Sequence, residues 1–224
     1  MTIWLASGNK HKQQELSAVL SGHTVKLPAE AGITGFDPEE NGKSFTENAL
    51  IKAGTLYRLL CTAKPEELSA VLSDDSGLCV DALGGRPGIY SARYYGKDSW
   101  AGDENFREAA SAKLSDKERN LLLLEELETQ PAADVSRKCR FVCAMVLFFS
   151  PLRFYLVQET LEGEIVPSAK EIRGHGGFGY DPIVYIPELG RTVAELSEEE
   201  KNRLSHRGKA GRAIAKLLYS KDRD

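Results

Sequence analysis

The sequence predicts a mixed-sheet protein of the α/β or α+β class, and three observations point there. Short apolar strands alternate with amphipathic helices in the first part of the chain. The later strand-like segments follow one another with little helix between them. The chain has 224 residues, 42% of them hydrophobic, which suits one domain or two lobes around a shared cleft.

The first strand covers Ile3 to Ala6, and Ser7-Gly8-Asn9 turns into a helix from Lys10 to Leu20. Leu16, Val19 and Leu20 supply its buried stripe. A second strand spans His23 to Leu27, before a loop from Gly32 to Lys43 punctuated by Gly32, Gly35, Pro38 and Gly42. Ser44 stands three residues before Glu47, the spacing of a capping box. The helix that it opens carries Phe45, Ala49, Ile51, Ala53, Leu56, Leu59 and Leu60 as a broad apolar stripe.

Ala70 to Leu72 reads as a short strand ending in the turn Ser73-Asp74-Asp75-Ser76-Gly77, with a new strand from Leu78 to Leu83. Gly84-Gly85-Arg86-Pro87-Gly88 then forces a turn. Ser115 and Glu118 form a second capping-box pair before a helix with Leu121 to Leu124 and Leu127. Phe141 to Phe149 is the most strand-like stretch, and Phe154 to Val157 and Ile165-Val166 extend the same sheet. A glycine-dense loop, Gly174 to Gly179, precedes the turn Tyr180-Asp181-Pro182. One helix starts near Glu198, capped by Ser197, and another runs from His206 to Tyr219.

Composition excludes several function classes. Charged residues make up 28% and the net charge is −4, with no basic run, so a nucleic-acid binder is disfavoured. A small anionic substrate stays open, because local cations and a metal ion outweigh a mild global charge. Cys61, Cys79, Cys139 and Cys143 form no Cys-x-x-Cys, so they read as free thiols in a reducing compartment rather than zinc ligands. The N-terminal residues lack the basic region and apolar run of a signal peptide. No stretch reaches the roughly 18 apolar residues of a membrane span. The expected location is the cytoplasm.

Four segments carry residue types suited to chemistry. Ser7, Gly8, Asn9, Lys10, His11 and Lys12 form a strand-to-helix turn, where backbone N–H groups and the helix dipole favour an anion. The Gly-x4-Gly-Lys spacing of a Walker loop is absent. Two acidic pairs, Glu39-Glu40 and Asp74-Asp75, offer carboxylates on separate loops, as Mg²⁺ requires when substrate phosphates and water complete its octahedron. Glycines around Phe178 and Tyr180 let backbone approach a flat ligand. Lys201, His206 and Arg207 add polar donors near the C-terminus. Each segment also has a plain structural reading: a helix cap, a solvated acid pair, a loop anchored on core aromatics, a polar linker.

Their joint order resembles the inosine triphosphate pyrophosphatase family, the Ham1/RdgB-like noncanonical purine nucleotide pyrophosphatases. The matching residues are Ser7-Gly8-Asn9 with Lys12, Glu40 before Gly42, Phe45 to Ala49 with Lys52, and Asp74 to Leu78. They continue through Leu83 to Tyr94, Gly177 to Pro182, Glu200-Lys201 and Ser205-His206-Arg207, so the resemblance spans nearly the whole chain. It implies one domain over residues 1–224, with a two-lobed α/β fold, a long mixed sheet, a nucleotide cleft between the lobes and a homodimer. It implies that Ser7 to Lys12 hold the phosphates with help from Lys52, and that Glu40 and Asp75 bind Mg²⁺. Asp75 is the implied base, Ser76 an implied substrate contact, and Phe178, Gly179, Tyr180, Asp181, Lys201, His206 and Arg207 the implied base pocket. Lys64 to Leu68 and Ser99-Trp100-Ala101 depart from the pattern without interrupting a motif.

The expected activity is Mg²⁺-dependent hydrolysis of dITP, ITP or XTP to the monophosphate and pyrophosphate. A Maf-like pyrophosphatase of modified pyrimidine nucleotides is the nearest rival, separable by a substrate panel. A non-catalytic nucleotide sensor is the rival from another class, separable by binding without pyrophosphate release.

Overall fold

The computed structural model describes residues 1–96, 114–130 and 136–220. The Ser99–Ala101 departure lies outside the described residues. The elements are β1 (Thr2–Leu5), α1 (Lys10–Val19), β2 (Thr24–Lys26), α2 (Phe45–Ala63), β3 (Ala70–Val80) and α3 (Asp116–Glu128). They continue with β4 (Lys138–Ser150), β5 (Arg153–Ile165), β6 (Val184–Ile186), β7 (Arg191–Thr192), α4 (Glu198–Leu204) and α5 (His206–Ser220). One seven-stranded sheet has the order β2-β1-β3-β4-β5-β6-β7. It is mixed: β1 runs parallel to both β2 and β3, while β6 is antiparallel to β5 and β7. The α/β reading with a long mixed sheet therefore stands.

The chain divides into two compact units. The first comprises Met1–Asp75, Cys143–Thr160 and the residues from Asn202 onward; the second comprises Ser76–Val142 and Leu161–Lys201.

In the first unit, period-2 alternation sorts each strand into two cores. Ile3, Leu5, Ala70, Leu72, Cys143, Met145 and Leu147 pack with Leu16 of α1, Leu20 at its C-cap, and Ala210, Ile214 and Leu218 of α5. Trp4, Ala6, Val71, Val146 and Phe148 point the other way, onto Ala49, Ala53, Leu56 and Leu60 of α2. Burying a side chain of this size contributes about 1.5–3 kcal/mol, so both faces hold the strands in register.

The helix starts follow the side-chain signals. Ser44 Oγ accepts from Glu47 N at 3.1 Å, but the Glu47 carboxylate accepts from Lys43 N instead of closing the box on Ser44. Ser115 and Glu118 form the full reciprocal box. Ser205 Oγ accepts from Gly208 N at 3.0 Å in the first turn of α5.

Two strand expectations need correction. Ser73 to Gly77 is not a turn; β3 runs unbroken for 11 residues through both aspartates. The separate pieces Phe154–Val157 and Ile165-Val166 belong mostly to one strand, β5, of 13 residues. Polar residues at Gln158 to Thr160 hid that continuity in the sequence. Among the described residues, all four cysteines are free, with Cys139 and Cys143 buried and Cys61 exposed. No helix among the described residues is long and apolar enough to cross a membrane.

Candidate active site

The alternation that builds the core of the first unit also aims the acid pair. Ala70 and Leu72 face α1 and α5, so Asp74 faces them too; Val71 faces α2, and so does Asp75. Adjacent carboxylates on one strand thus diverge, and each meets its own cations. Adjacent carboxylates repel each other, and pointing to opposite faces of the sheet lessens that repulsion.

Asp74 is almost fully buried at 1% exposure. Its carboxylate takes Lys12 Nζ at 3.0 Å and Arg207 Nε at 3.1 Å. Arg207 Nη1 continues to Glu15 Oε2 at 2.9 Å. Burial alone would raise the Asp74 pKa, but Lys12, Arg207 and Lys52 together hold it well below the usual carboxylate range. Burial opposes the Arg207 charge as well, and Asp74 and Glu15 overcome that. Removing one member of such a buried network typically costs about 3–5 kcal/mol, because the remaining charge stays desolvated.

Asp75 occupies the α2 face. Lys52 Nζ donates to Asp75 Oδ1 at 2.8 Å and to Glu40 Oε1 at 3.0 Å. Asn48 Nδ2 donates to Asp75 Oδ2 at 3.2 Å. Burial pushes the Asp75 carboxyl up, more than Lys52 and Asn48 draw it down, and Glu40 adds to the push. Burial works against the Lys52 charge, yet Asp75, Asp74 and Glu40 raise its pKa. Ser73, two residues earlier on the same face, donates to Ala49 O at 2.6 Å and ties β3 to α2.

This arrangement passes a test of fit for a divalent cation. Two carboxylates from separate elements already converge on one positive charge, the Lys52 ammonium. Among the described residues no group of three or more His, Cys, Asp or Glu is arranged to hold a metal. The fit rests on the carboxylate pair itself, since Mg²⁺ takes one or two protein carboxylates and fills its remaining positions with phosphate and water.

The turn after β1 lies in the same unit. Ser7 is half-buried and Gly8 to His11 are exposed. Asn9 Oδ1 accepts from His11 N at 2.9 Å and Lys12 N at 3.3 Å, and Ser7 Oγ accepts from Asn9 N. The side-chain cap therefore satisfies amides that the sequence reading left for an anion. Any phosphate grip here rests more on Lys12 and less on the backbone.

The expected base-pocket residues divide between the units. Phe178, Gly179, Tyr180, Asp181 and Lys201 belong to the second, as does the expected substrate contact Ser76; His206 and Arg207 belong to the first. Arg207 is locked between Asp74 and Glu15, and His206 is buried at the start of α5.

In the second unit, the glycine-rich loop is built around Asp181. Its Oδ2 accepts from Phe178 N at 2.9 Å and from Lys201 Nζ at 2.6 Å. Lys201 Nζ also lies 4.7 Å from the centroid of the Phe178 ring, within cation–π range. Gly177 has φ +75°, and a Cβ there would come within 2.0 Å of Asp181 Oδ2, so only glycine lets the loop close. The Phe178 ring remains 45% exposed. A cavity beside it is lined by Asp116, Asn120, Gly176, Phe178, Gly179 and Pro182. Gly179 is held from both sides by α3: its N–H donates to Asp116 Oδ2 at 2.7 Å, and its carbonyl accepts from Asn120 Nδ2 at 3.1 Å.

The long motif from Leu83 to Tyr94 proves to be framework in this unit. Ser91 Oγ accepts from Leu78 N, and Ser91 O accepts from the Tyr180 hydroxyl at 2.9 Å. Arg86 and Tyr94 both donate to the buried Glu126 carboxylate.

Sequence reasoning missed Asn48 and Glu15. The Phe45–Ala49 segment was noted, but nothing local marks Asn48 as a partner of Asp75. Helical spacing held the available clue: Asn48 and Lys52 are four residues apart and share a helix face.

Comparison with known proteins identifies the family. Residues 3–217 match the model of the Ham1 family. A dITP/XTP pyrophosphatase of Treponema denticola is 44% identical over 218 residues, covering 97% of this chain and 98% of the relative. One of Thermus thermophilus is 42% identical, covering 96% of this chain and 90% of the relative. The solved structure of a HAM1 protein from Coxiella burnetii superposes with a TM-score of 0.79 at 35% identity, covering 98% of this chain and 99% of that one. The Staphylococcus aureus Ham1 protein gives a TM-score of 0.77 at 34% identity, over 99% of this chain and all of that one. With a family match over nearly its full length, this chain belongs to the Ham1 family.

Proposed function

We propose that this protein hydrolyses noncanonical purine nucleoside triphosphates, dITP, ITP and XTP, to the monophosphate and pyrophosphate. The observation that carries the reading is the convergence of Glu40 and Asp75 on one cationic centre, 3.0 and 2.8 Å from Lys52 Nζ. Similarity to curated dITP/XTP pyrophosphatases over nearly the whole chain supports the substrate class.

In this reading Glu40 and Asp75 hold Mg²⁺, with Lys52 as an adjacent cation. When bound, Mg²⁺ supplies charge neutralisation to the polyphosphate and to the departing pyrophosphate. Asp75 orients the attacking water and takes its proton. Lys12 and the Ser7–His11 turn bind the phosphates, and Ser76 touches substrate. Lys52 and Lys12 stabilise charge on the phosphoryl oxygens through fixed electrostatics, which supply most of the acceleration when the base is a carboxylate.

Base choice rests on the loop from Phe178 to Asp181 with Lys201. Phe178 offers a ring face for stacking, and the Lys201 ammonium, with three N–H donors, donates to the purine 6-oxygen of hypoxanthine or xanthine. Adenine places an amino donor at that position, so donor meets donor. Sites that depend on such bonds reject the mismatched ligand by about 10⁴-fold or more. His206 and Arg207 complete the family pattern; because Arg207 is held by Asp74 and Glu15, it shapes the site as a fixed strut. The working form in this reading is a cytoplasmic homodimer, which light scattering on the purified protein tests.

The deciding experiment is a pyrophosphate-release panel with Mg²⁺ over dITP, ITP, XTP, dATP, dGTP, dTTP and methylated UTP. Release confined to the deaminated purines is the expected result. Preference for the modified pyrimidine, or tight nucleotide binding with no release, overturns the assignment.

A further inference from the structure

We infer that Asn48 is a positioning residue that fixes the placement of Glu40 relative to Asp75. The inference rests on the proposed role of those two acids as the cation-holding pair. Asn48 is fully buried and bonds at both ends of its amide. Its Oδ1 accepts from Gly42 N at 2.9 Å, and its Nδ2 donates to Asp75 Oδ2 at 3.2 Å. Gly42 is two residues from Glu40, so one side chain ties the Glu40 loop to the strand that bears Asp75.

The chemistry of the two ends selects asparagine. A backbone N–H requires an acceptor, and a carboxylate requires a donor. Aspartate in the same place keeps the bond to Gly42 but sets a second carboxylate against Asp75. Alanine reaches neither. Gly42 is equally constrained: a Cβ there would stand 2.6 Å from Asn48 Oδ1 and 2.7 Å from Glu47 Cβ. No other residue fits without displacing the amide.

The link also divides the labour of the Asp75 carboxylate. Asn48 and Lys52 project from the same face of α2, one turn apart, and take different oxygens: Asn48 takes Oδ2 and Lys52 takes Oδ1. A neutral donor fixes one oxygen, which turns the other toward the positive charge shared with Glu40. The start of α2 is itself held, since Asn48 N donates to Ser44 O at 3.1 Å and Ser44 caps the helix. The amide is therefore set on a rigid element, as positioning at a site requires.

The test uses the full-length protein and the variants Asn48→Ala, Asn48→Asp, Gly42→Ala and the double Gly42→Ala/Asn48→Ala. Three quantities are read: binding of Mn²⁺ alone by electron paramagnetic resonance, kcat and KM for dITP, and Tm. Each single variant is expected to weaken Mn²⁺ binding by about 10-fold and lower kcat by roughly 10–100-fold, with KM changed little. Asn48→Asp is expected to lose as much kcat as Asn48→Ala despite its matching size. Because Gly42 and Asn48 act through one link, the double variant should be no worse than the poorer single within about twofold.

Unchanged Mn²⁺ binding and kcat in the Asn48 variants, with only Tm lowered, would overturn the inference; so would losses that multiply in the double variant. A wild-type protein that releases no pyrophosphate from any triphosphate sinks the proposed function instead, and the Mn²⁺ measurements still decide the role of Asn48.

Discussion

The acidic strand of the first unit and the glycine-rich loop of the second solve opposite problems. At Asp74 and Asp75, charge is buried, and every carboxylate in the network is matched by a cation or an amide on a helix or strand. At Phe178, an apolar ring is left 45% exposed above a loop shaped by backbone hydrogen bonds and by glycines. A buried charged network responds steeply to the loss of one member, because a desolvated charge without its partner is costly. An exposed aromatic on a loop responds mildly, because truncation removes contact area and leaves nothing unpaired.

That comparison ranks the expected effects of substitution. The largest belongs to Asp75→Asn, which should lower kcat for dITP by roughly 10³-fold or more, as loss of a general base and cation ligand implies. Its Tm should fall as well, since the amide offers one acceptor oxygen to two donors, Asn48 Nδ2 and Lys52 Nζ, and leaves the buried Lys52 with Glu40 alone. Steady-state kinetics and calorimetry on one preparation check both halves. Next comes Lys52→Ala, which leaves Glu40 and Asp75 facing each other and should cost about 10²-fold in kcat. A loss confined to KM would show that Lys52 assists ground-state binding alone.

Phe178→Ala should be gentler. Base stacking is worth about 1–3 kcal/mol, so KM for dITP and XTP should rise roughly 10-fold with kcat nearly unchanged. An equal loss of kcat would place the ring closer to the chemistry than the comparison allows.

The smallest effect belongs to a surface pair in the second unit. Arg191 and the Ser197 backbone draw the Glu200 pKa down to about 2. A lowered carboxylate contributes stability above its unfolded pKa, about 4.3, and loses it as pH falls toward 2. Arg191→Ala should therefore lower Tm at pH 7 by no more than about 2 °C, given how weak exposed pairs are, and the gap from wild type should close as pH approaches 2.

How much the sequence disclosed follows the same divide between local and distant causes. The strand, turn and helix at Ile3 to Leu20 and the capping residues Ser44 and Ser115 act over a few positions, and they were readable. The acid pair was visible as a pair, but its setting was not. Ser73 to Gly77 looks like a turn because Asp, Ser and Gly favour turns locally. What keeps β3 extended there is tertiary: Lys12, Arg207, Lys52 and Asn48 each bring a partner to an aspartate. The Arg207–Glu15 contact closes a separation of 192 residues, beyond the reach of any local pattern. Phe178 and Asp181 were identified as site candidates, yet the service of Asp181 to Lys201 and to the Phe178 amide appears only in three dimensions.

The most direct test of the whole account is product analysis of dITP turnover by the wild-type protein, with Mg²⁺ and again with excess chelator. The account predicts one pyrophosphate for each dIMP, no orthophosphate, and turnover abolished by the chelator. Orthophosphate as the product, or turnover that persists without a divalent cation, would contradict it.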